Sequence, residues 1–197
     1  GRGKQETINA LVRQMEEDGV GTVRLQFTDI TGTLKSIAVT PAKFARLREE
    51  PFFVDGSFLA GRDGEDGVEL MLKPDPSTFT ILPWKSQPGN VARLLCSLYQ
   101  EDGTPFAEDS REVLRQAERR AAANGYELSV RPECEFFLFH SDDDGRPTVV
   151  THERAGHLVA PPLHSGQNSM PNLVRTLAEL GVDWAASRTG RHTADHA

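Results

Sequence analysis

The chain has 197 residues, of which 38% are hydrophobic and 26% are charged. These values are typical of one large or two small globular domains with a hydrophobic core. The net charge of −7 argues against a nucleic-acid-binding protein, because the sequence has no basic stripe to neutralise phosphates. No stretch approaches the ~20 apolar residues of a membrane helix, and no signal-peptide core is present, so we expect a cytoplasmic protein that contacts no membrane.

Hydrophobic periodicity predicts a mixed arrangement of helices and strands in the first half of the chain. In chain order, the predicted elements are a helix capped by Thr7 and ended by Gly19, a hairpin over 22–39, a short helix after Thr40 and Pro41, a loop-rich region over 51–78, and strands over 79–84 and 91–99. Residues 20–99 are therefore predicted to form a small unit of several strands and a short helix.

The second half begins with a polar linker over 101–110. The elements predicted after it are a helix from Asp109 or Ser110 to Ala123, a long strand over 127–139, a turn at 142–145, a helix over 169–180, and a strand in "VDWAAS". Cys96 and Cys134 lie in apolar runs, which favours buried thiols in a reducing compartment over a disulfide or a zinc site.

The stretch "VRPECEFFLFH" places Glu133 and Glu135 beside a run of apolar residues. On a strand, residues two apart project from the same face, about 6–7 Å apart. Two unpaired buried carboxylates would be costly, and their repulsion would raise one pKa. A divalent cation such as Mg²⁺ or Mn²⁺ would remove this cost. The alternative is an exposed strand start at which Arg131 pairs with one glutamate.

The order of motifs resembles that of the bacterial type I glutamine synthetases. The matching stretches are "VRLQFTDITGTLKSIAV", "FVDGSFLAG", "LKPDPSTFTILPW", "VARLLCSLYQEDGTPFAEDSR" and "RPECEFFLFH". The match extends from about residue 8 to about residue 155, in order and with consistent spacing.

This resemblance implies an α+β fold, with an N-terminal β-grasp domain followed by a partial catalytic domain built on a curved antiparallel sheet with helices. We expect an N-terminal helix over 1–19, the β-grasp domain over 20–103 and the catalytic part over 104–197. The family forms homo-oligomers, dodecamers of two rings, and we expect no nucleic-acid partner.

The resemblance also implies a reaction and its site residues. ATP phosphorylates the side-chain carboxylate of glutamate, and ammonia then displaces phosphate to give glutamine, with Mg²⁺ or Mn²⁺ stabilising the transferred group. Glu133 and Glu135 match the strand carboxylates that bind the metal ions. Asp55 matches an aspartate that acts at a neighbouring subunit's ammonium site. The family has two serines after this Asp-Gly pair, whereas here Phe58 follows Ser57.

The resemblance weakens after about residue 155. The family's His-His-Glu segment and its later His-Glu pair, which supply further metal ligands, have no counterpart in "RTGRHTADHA". We therefore expect the chain to be truncated and inactive alone. Two alternatives stay open: a non-catalytic β-grasp module that associates with other subunits, and a relative that ligates glutamate to another amine.

Overall fold

The protein's structure, a computed structural model, describes residues 2–59, 68–84, 89–133, 139–151 and 169–183. It comprises two compact units, Gly1–Ser129 and Val130–Ala197. The elements of the first unit are α1 (Arg2–Glu17), β1 (Val20–Thr28), β2 (Leu34–Val39), α2 (Pro41–Ala45), β3 (Phe52–Asp55), β4 (Glu69–Pro74), β5 (Thr80–Ile81), β6 (Asn90–Tyr99) and α3 (Ser110–Ala123), with short 3₁₀ turns at Arg46–Arg48, Gly56–Phe58 and Pro76–Thr78.

The first unit is built on a mixed sheet with the strand order β2-β1-β6-β4-β3, to which β5 adds by pairing with β6. The central strands β1 and β6 run parallel, and the other pairs are antiparallel. The predicted hairpin over 22–39 is confirmed as β1 and β2. Because β1 and β6 are distant in sequence, their pairing brings together two segments on either side of β2, β3, β4 and β5.

The hydrophobic core lies between one face of this sheet and helices α1 and α2. Its buried members include Ile8, Leu11 and Met15 from α1, and Phe44 from α2, which is 1% exposed. The short helix α2 begins as predicted, because the Thr40 hydroxyl accepts a hydrogen bond from the Lys43 N–H at 3.1 Å and Pro41 occupies the first turn. Cys96 is buried in this core with a free thiol, and burial raises its pKa to about 12.

Two predictions for the first unit are wrong. Helix α1 begins at Arg2, so Thr7 lies inside it, where its hydroxyl donates to the Gly3 carbonyl oxygen at 2.9 Å in the manner of helical threonines. The loop-rich region over 51–78 contains β3 and β4, which pair with each other, and β4 also pairs with β6. Pairing across the sheet stabilises these short strands, and the hydrophobic periodicity of the sequence does not predict such pairing.

Helix α3 is anchored on the sheet of the first unit by polar contacts. An Arg111 guanidinium nitrogen lies 2.6 Å from an Asp75 carboxylate oxygen, and Arg115 donates to the hydroxyl of the buried Ser97 at 3.0 Å. The Ser110 hydroxyl donates to the Thr28 carbonyl oxygen at 2.8 Å. The helix was predicted with correct bounds, but its attachment to the N-terminal sheet was not.

Asp109 precedes α3 and is almost fully buried, with 1% of its surface exposed. Neither of its carboxylate oxygens has a hydrogen-bond partner. Burial raises its pKa above the ordinary value, and the nearby backbone groups of Leu98, Arg111 and Glu112, which favour the ionised form, only partly oppose this effect. A carboxylate whose pKa is raised on folding makes the folded state less stable as pH rises.

Asp109→Asn is expected to stabilise the first unit by about 1–3 kcal/mol at neutral pH, because it removes a buried charge whose desolvation is only partly offset by its surroundings and keeps a residue that favours helix starts. The wild type loses stability as pH rises from 3.8 through the raised folded-state pKa. The variant should lack this pH-dependent loss of stability. Hydrogen exchange of β6 amides at several pH values measures the difference. The control Glu118→Gln, at an exposed position of α3, should change stability by less than about 0.5 kcal/mol.

The second unit contains β7 (Phe139–Ser141), β8 (Pro147–Thr151) and α4 (Ser169–Glu179). β7 and β8 pair antiparallel around a turn in which Asp142 accepts hydrogen bonds from the N–H groups of Asp144 and Arg146. The predicted turn and the helix over 169–180 are confirmed. The strand over 127–139 is wrong for residues 127–133, which form no strand, and residues 134–138 lie outside the described residues, as does most of "VDWAAS".

Across the parts of the chain that the structure describes, every helix is too short or too polar to cross a bilayer.

Candidate functional site

Asp55 lies at the end of β3, where the chain turns into the 3₁₀ segment Gly56–Phe58. Its side chain caps this segment: one carboxylate oxygen accepts a hydrogen bond from the Ser57 N–H at 2.9 Å. This backbone bond, together with the Ser57 hydroxyl, lowers the pKa of Asp55. Asp55 is therefore an ionised, exposed carboxylate with a defined orientation.

Gly56 allows the backbone next to Asp55 to approach the chain that returns into β4. The Gly56 N–H donates to the Val68 carbonyl oxygen at 2.7 Å. A Cβ atom at position 56 would lie 2.7 Å from that same oxygen, which is closer than van der Waals contact permits. The Asp-Gly pair thus has two separate structural requirements, a carboxylate that caps the turn and a residue without a side chain.

Glu69 is the cross-strand neighbour of Asp55 in the β3–β4 pair. Both residues are exposed, and directly opposed carboxylates on neighbouring strands repel each other. Within the described ranges, neither forms an ion pair with a basic side chain. The end of this strand pair is therefore electronegative and would attract a small cation.

The structure describes Glu133 but not Glu135, which lies outside the described residues. Glu133 is exposed and lies in an irregular segment. The prediction that it is buried on a strand is therefore wrong, because that strand does not extend through residues 127–133. The flanking Tyr126, Leu128 and Val130 are 73%, 52% and 74% exposed, so the alternating pattern that favoured a strand covers no core here.

No metal cluster is assembled by the described residues alone: they include no group of three or more histidine, cysteine, aspartate or glutamate side chains that could hold an ion. Asp55 belongs to the first compact unit and Glu133 to the second. The predicted roles of Asp55, Glu133 and Glu135 stay predictions.

Two family models match consecutive parts of the chain. The β-grasp domain of glutamine synthetase matches residues 19–101, and the catalytic domain of glutamine synthetase matches residues 107–196. The chain belongs to the glutamine synthetase family. The predicted resemblance is thereby confirmed.

Two curated relatives of this family member are named glutamine synthetase. The chain is 40% identical over 181 residues to the glutamine synthetase of Clostridium saccharobutylicum, which covers 92% of this chain and 41% of the relative. It is 36% identical over 179 residues to that of Halobacterium salinarum, covering 90% of this chain and 39% of the relative. The chain therefore spans about two-fifths of the length of these relatives.

Two solved structures share the fold of this family member. A structure described as a GmaS/ADP complex has a TM-score of 0.68 at 22% identity and covers 87% of this chain and 39% of that chain. A ligand-free GmaS structure has a TM-score of 0.67 at 21% identity, covering 87% of this chain and 40% of that chain. The predicted α+β fold, a β-grasp domain followed by part of a catalytic domain, is confirmed.

The predicted domain boundary near residue 104 stays a prediction. Helix α3 belongs to the first compact unit, although the match to the catalytic-domain model already begins at residue 107. Sequence reasoning missed the contributions of Ser57 and Glu69 to the surroundings of Asp55. The Asp-x-Ser spacing is a signal that could have indicated the Ser57 bond, whereas the opposition of Glu69 depends on strand register.

Proposed function

We propose that this chain supplies the β-grasp domain and the first part of the catalytic domain of an ATP-dependent glutamate–ammonia ligase. The observation that carries the proposal is the consecutive match to both glutamine synthetase domain models. In the proposed reaction, the γ-phosphoryl group of ATP passes to the side-chain carboxylate of glutamate, giving an acyl phosphate and ADP. Ammonia attacks the acyl carbon, phosphate leaves, and glutamine forms.

Asp55 is proposed to act at the ammonium site of a neighbouring subunit in a homo-oligomer. An ammonium ion must lose a proton before its nitrogen can attack the acyl phosphate. The lowered pKa of Asp55 keeps the carboxylate ionised at neutral pH, so it can favour binding of the ammonium ion and help to deprotonate it. Its exposed position leaves the carboxylate available to a partner's site.

Glu133 and Glu135 are proposed to bind Mg²⁺ or Mn²⁺. Carboxylate oxygens suit these hard cations, and the exposed Glu133 has no ion pair with a basic residue in the described part of the chain. Two carboxylates fill only part of a six-coordinate shell, so further ligands are required. When bound, the ions would neutralise charge on the transferred phosphoryl group. The reaction is proposed to occur in the cytoplasm.

A chimera tests this proposal. Residues 19–151 of this chain replace the matched residues of the Clostridium saccharobutylicum relative, and glutamine formation is measured with glutamate, ATP, Mg²⁺ and ammonium. We expect glutamine and ADP to form in equal amounts, each dependent on ammonium. The chain of 197 residues assayed alone should give no product above background, because its sequence lacks the His-His-Glu and His-Glu ligands of the family.

Other outcomes would favour the alternatives or contradict the proposal. A folded, assembled chimera that makes no glutamine would favour a non-catalytic β-grasp module. A chimera that forms product only with a primary amine such as ethylamine would identify a different acceptor. Ligation by the chain alone would show that the expectation of an incomplete site is wrong.

A further inference from the structure

The sheet of the first unit has a second face, opposite the hydrophobic core. Because side chains alternate along a strand, the residues between the core positions of β1 and β6 project from this second face, which we call the outer face. The core positions include Val23 and Leu25 on β1, and Ala92 and Leu94 on β6. The outer face therefore carries Arg24, Gln26, Arg93, Leu95 and Ser97.

Arg24 and Arg93 are direct neighbours on the outer face. They are paired residues in the parallel ladder between β1 and β6, and both are half-buried. Two like charges at directly opposed positions of a sheet repel each other. The same row continues through Ala38 of β2 and Thr80 of β5, so it contains no carboxylate that would offset the repulsion.

Of the two adjacent rows of the outer face, one ends at a carboxylate, Asp75, whose N–H donates to the Leu95 carbonyl oxygen at 2.8 Å. One row contains Thr22 and Val91. The other contains Ser36, Gln26 and Leu95. The Asp75 carboxylate is bound by Arg111 and Arg115, so these rows offer Arg24 and Arg93 no unpaired carboxylate.

Other arginines around this face are paired, in contrast to Arg24 and Arg93. Arg111 and Arg115 share the Asp75 carboxylate, at 2.6 and 3.8 Å, and Arg119 binds Glu112 at 2.6 Å. Arg24 and Arg93 form no ion pair with any described residue.

The Nε atom of Arg93 adds a second, independent observation. It is buried and has no hydrogen-bond partner. Arginine N–H groups are strong donors, and buried donors in native proteins are nearly always satisfied by the protein, water or a ligand. An unsatisfied donor on Arg93, the residue paired with Arg24 in the strand register, indicates that an acceptor with negative charge belongs at this pair.

We propose that Arg24 and Arg93 form a binding site for an oxyanion, a phosphate or carboxylate group, on the outer face of the β-grasp sheet. A guanidinium group presents its N–H donors in a planar fork that matches the oxygen spacing of both groups. The bound anion would accept a bond from the Arg93 Nε–H and neutralise the repulsion between the two arginines. This site is independent of the proposed ligase activity and does not include Asp55, Glu133 or Glu135.

Thermal unfolding of the full chain tests the site with inorganic phosphate and, separately, with succinate, each compared with sodium chloride at equal ionic strength. Binding to the folded state raises the unfolding temperature with ligand concentration. We expect a rise of a few degrees with at least one of the two anions. A response to phosphate alone assigns a phosphate ligand, and a response to succinate alone assigns a carboxylate ligand.

Three variants separate the site from general salt effects. Arg24→Met and Arg93→Met should abolish the response, and in chloride they should unfold at or above the wild-type temperature, because repulsion and the unsatisfied donor are removed. The control Arg13→Met changes an exposed arginine of α1 and should retain the full response. In the wild type, the NMR resonance of the Arg93 Nε–H group should shift on addition of the anion.

The proposal is overturned if neither anion raises the unfolding temperature above the chloride value, or if Arg24→Met and Arg93→Met respond as Arg13→Met does. An unchanged Arg93 Nε–H resonance at saturating phosphate and succinate would also exclude it. This measurement uses the wild-type chain, so it decides the question even where a methionine variant does not fold.

Discussion

Phe44→Ala is expected to destabilise the first compact unit by about 3–5 kcal/mol, the range for truncating a buried phenylalanine. Phe44 is 1% exposed and belongs to the core cluster between the helices and the sheet. Its helix α2 has only five residues, too few to hold its shape without packing. The loss should therefore affect both the core and the attachment of α2.

The loss can be measured from hydrogen exchange of the β6 amide groups, which report opening of the central sheet. Phe53→Ala is a matched control, because Phe53 lies on β3 with 37% of its surface exposed. This variant should lose much less stability than Phe44→Ala. A cost below about 1 kcal/mol for Phe44→Ala, the average for point mutations, would mean that Phe44 does not fill a closed core.

Asp55→Asn in the chimera of residues 19–151 is expected to lower kcat/KM for ammonium by about 10²–10⁴-fold, the usual contribution of a group that transfers a proton. The substitution keeps the shape of the side chain but removes its charge. Because asparagine also caps helical segments, stability should change by less than about 0.5 kcal/mol. Loss of activity without loss of stability would separate the chemical role from the structural one.

The pH profile and a second variant give further controls. The Asp55 pKa is lowered below its ordinary value, so protonation of Asp55 should not reduce wild-type activity near neutral pH. Glu69→Gln removes the neighbouring carboxylate and should have a small effect. Full activity of Asp55→Asn, or an equal loss in Glu69→Gln, would contradict the proposed role of Asp55.

Local sequence signals predicted the elements whose ends are defined by nearby side chains. The hairpin over 22–39 is an example: the Asp29 carboxylate accepts hydrogen bonds from the N–H groups of Thr31 and Thr33, so the turn depends on residues within the motif. The start of α2 at Thr40 and the bounds of α3 were predicted for the same reason. The family was also predicted from the order of its motifs, and the domain-model matches confirm it.

Tertiary structure decided the features that depend on residues distant in sequence. β3 and β4 exist because β6, which begins 16 residues after β4 ends, completes their sheet. The alternating segment over 127–133 has the composition of a strand, but it forms no strand in the structure and its apolar side chains stay exposed. Burial of Glu133 was predicted from that pattern alone and was therefore wrong.

The sequence by itself determined the family, the α+β fold and the position of Asp55 before a glycine. Strand register alone placed Glu69 opposite Asp55 and Arg24 beside Arg93. The physical reason is that turns and caps form within a few residues, where side-chain chemistry acts directly on the backbone. The neighbour of a strand residue is set by the register of the whole sheet, which depends on how the core packs.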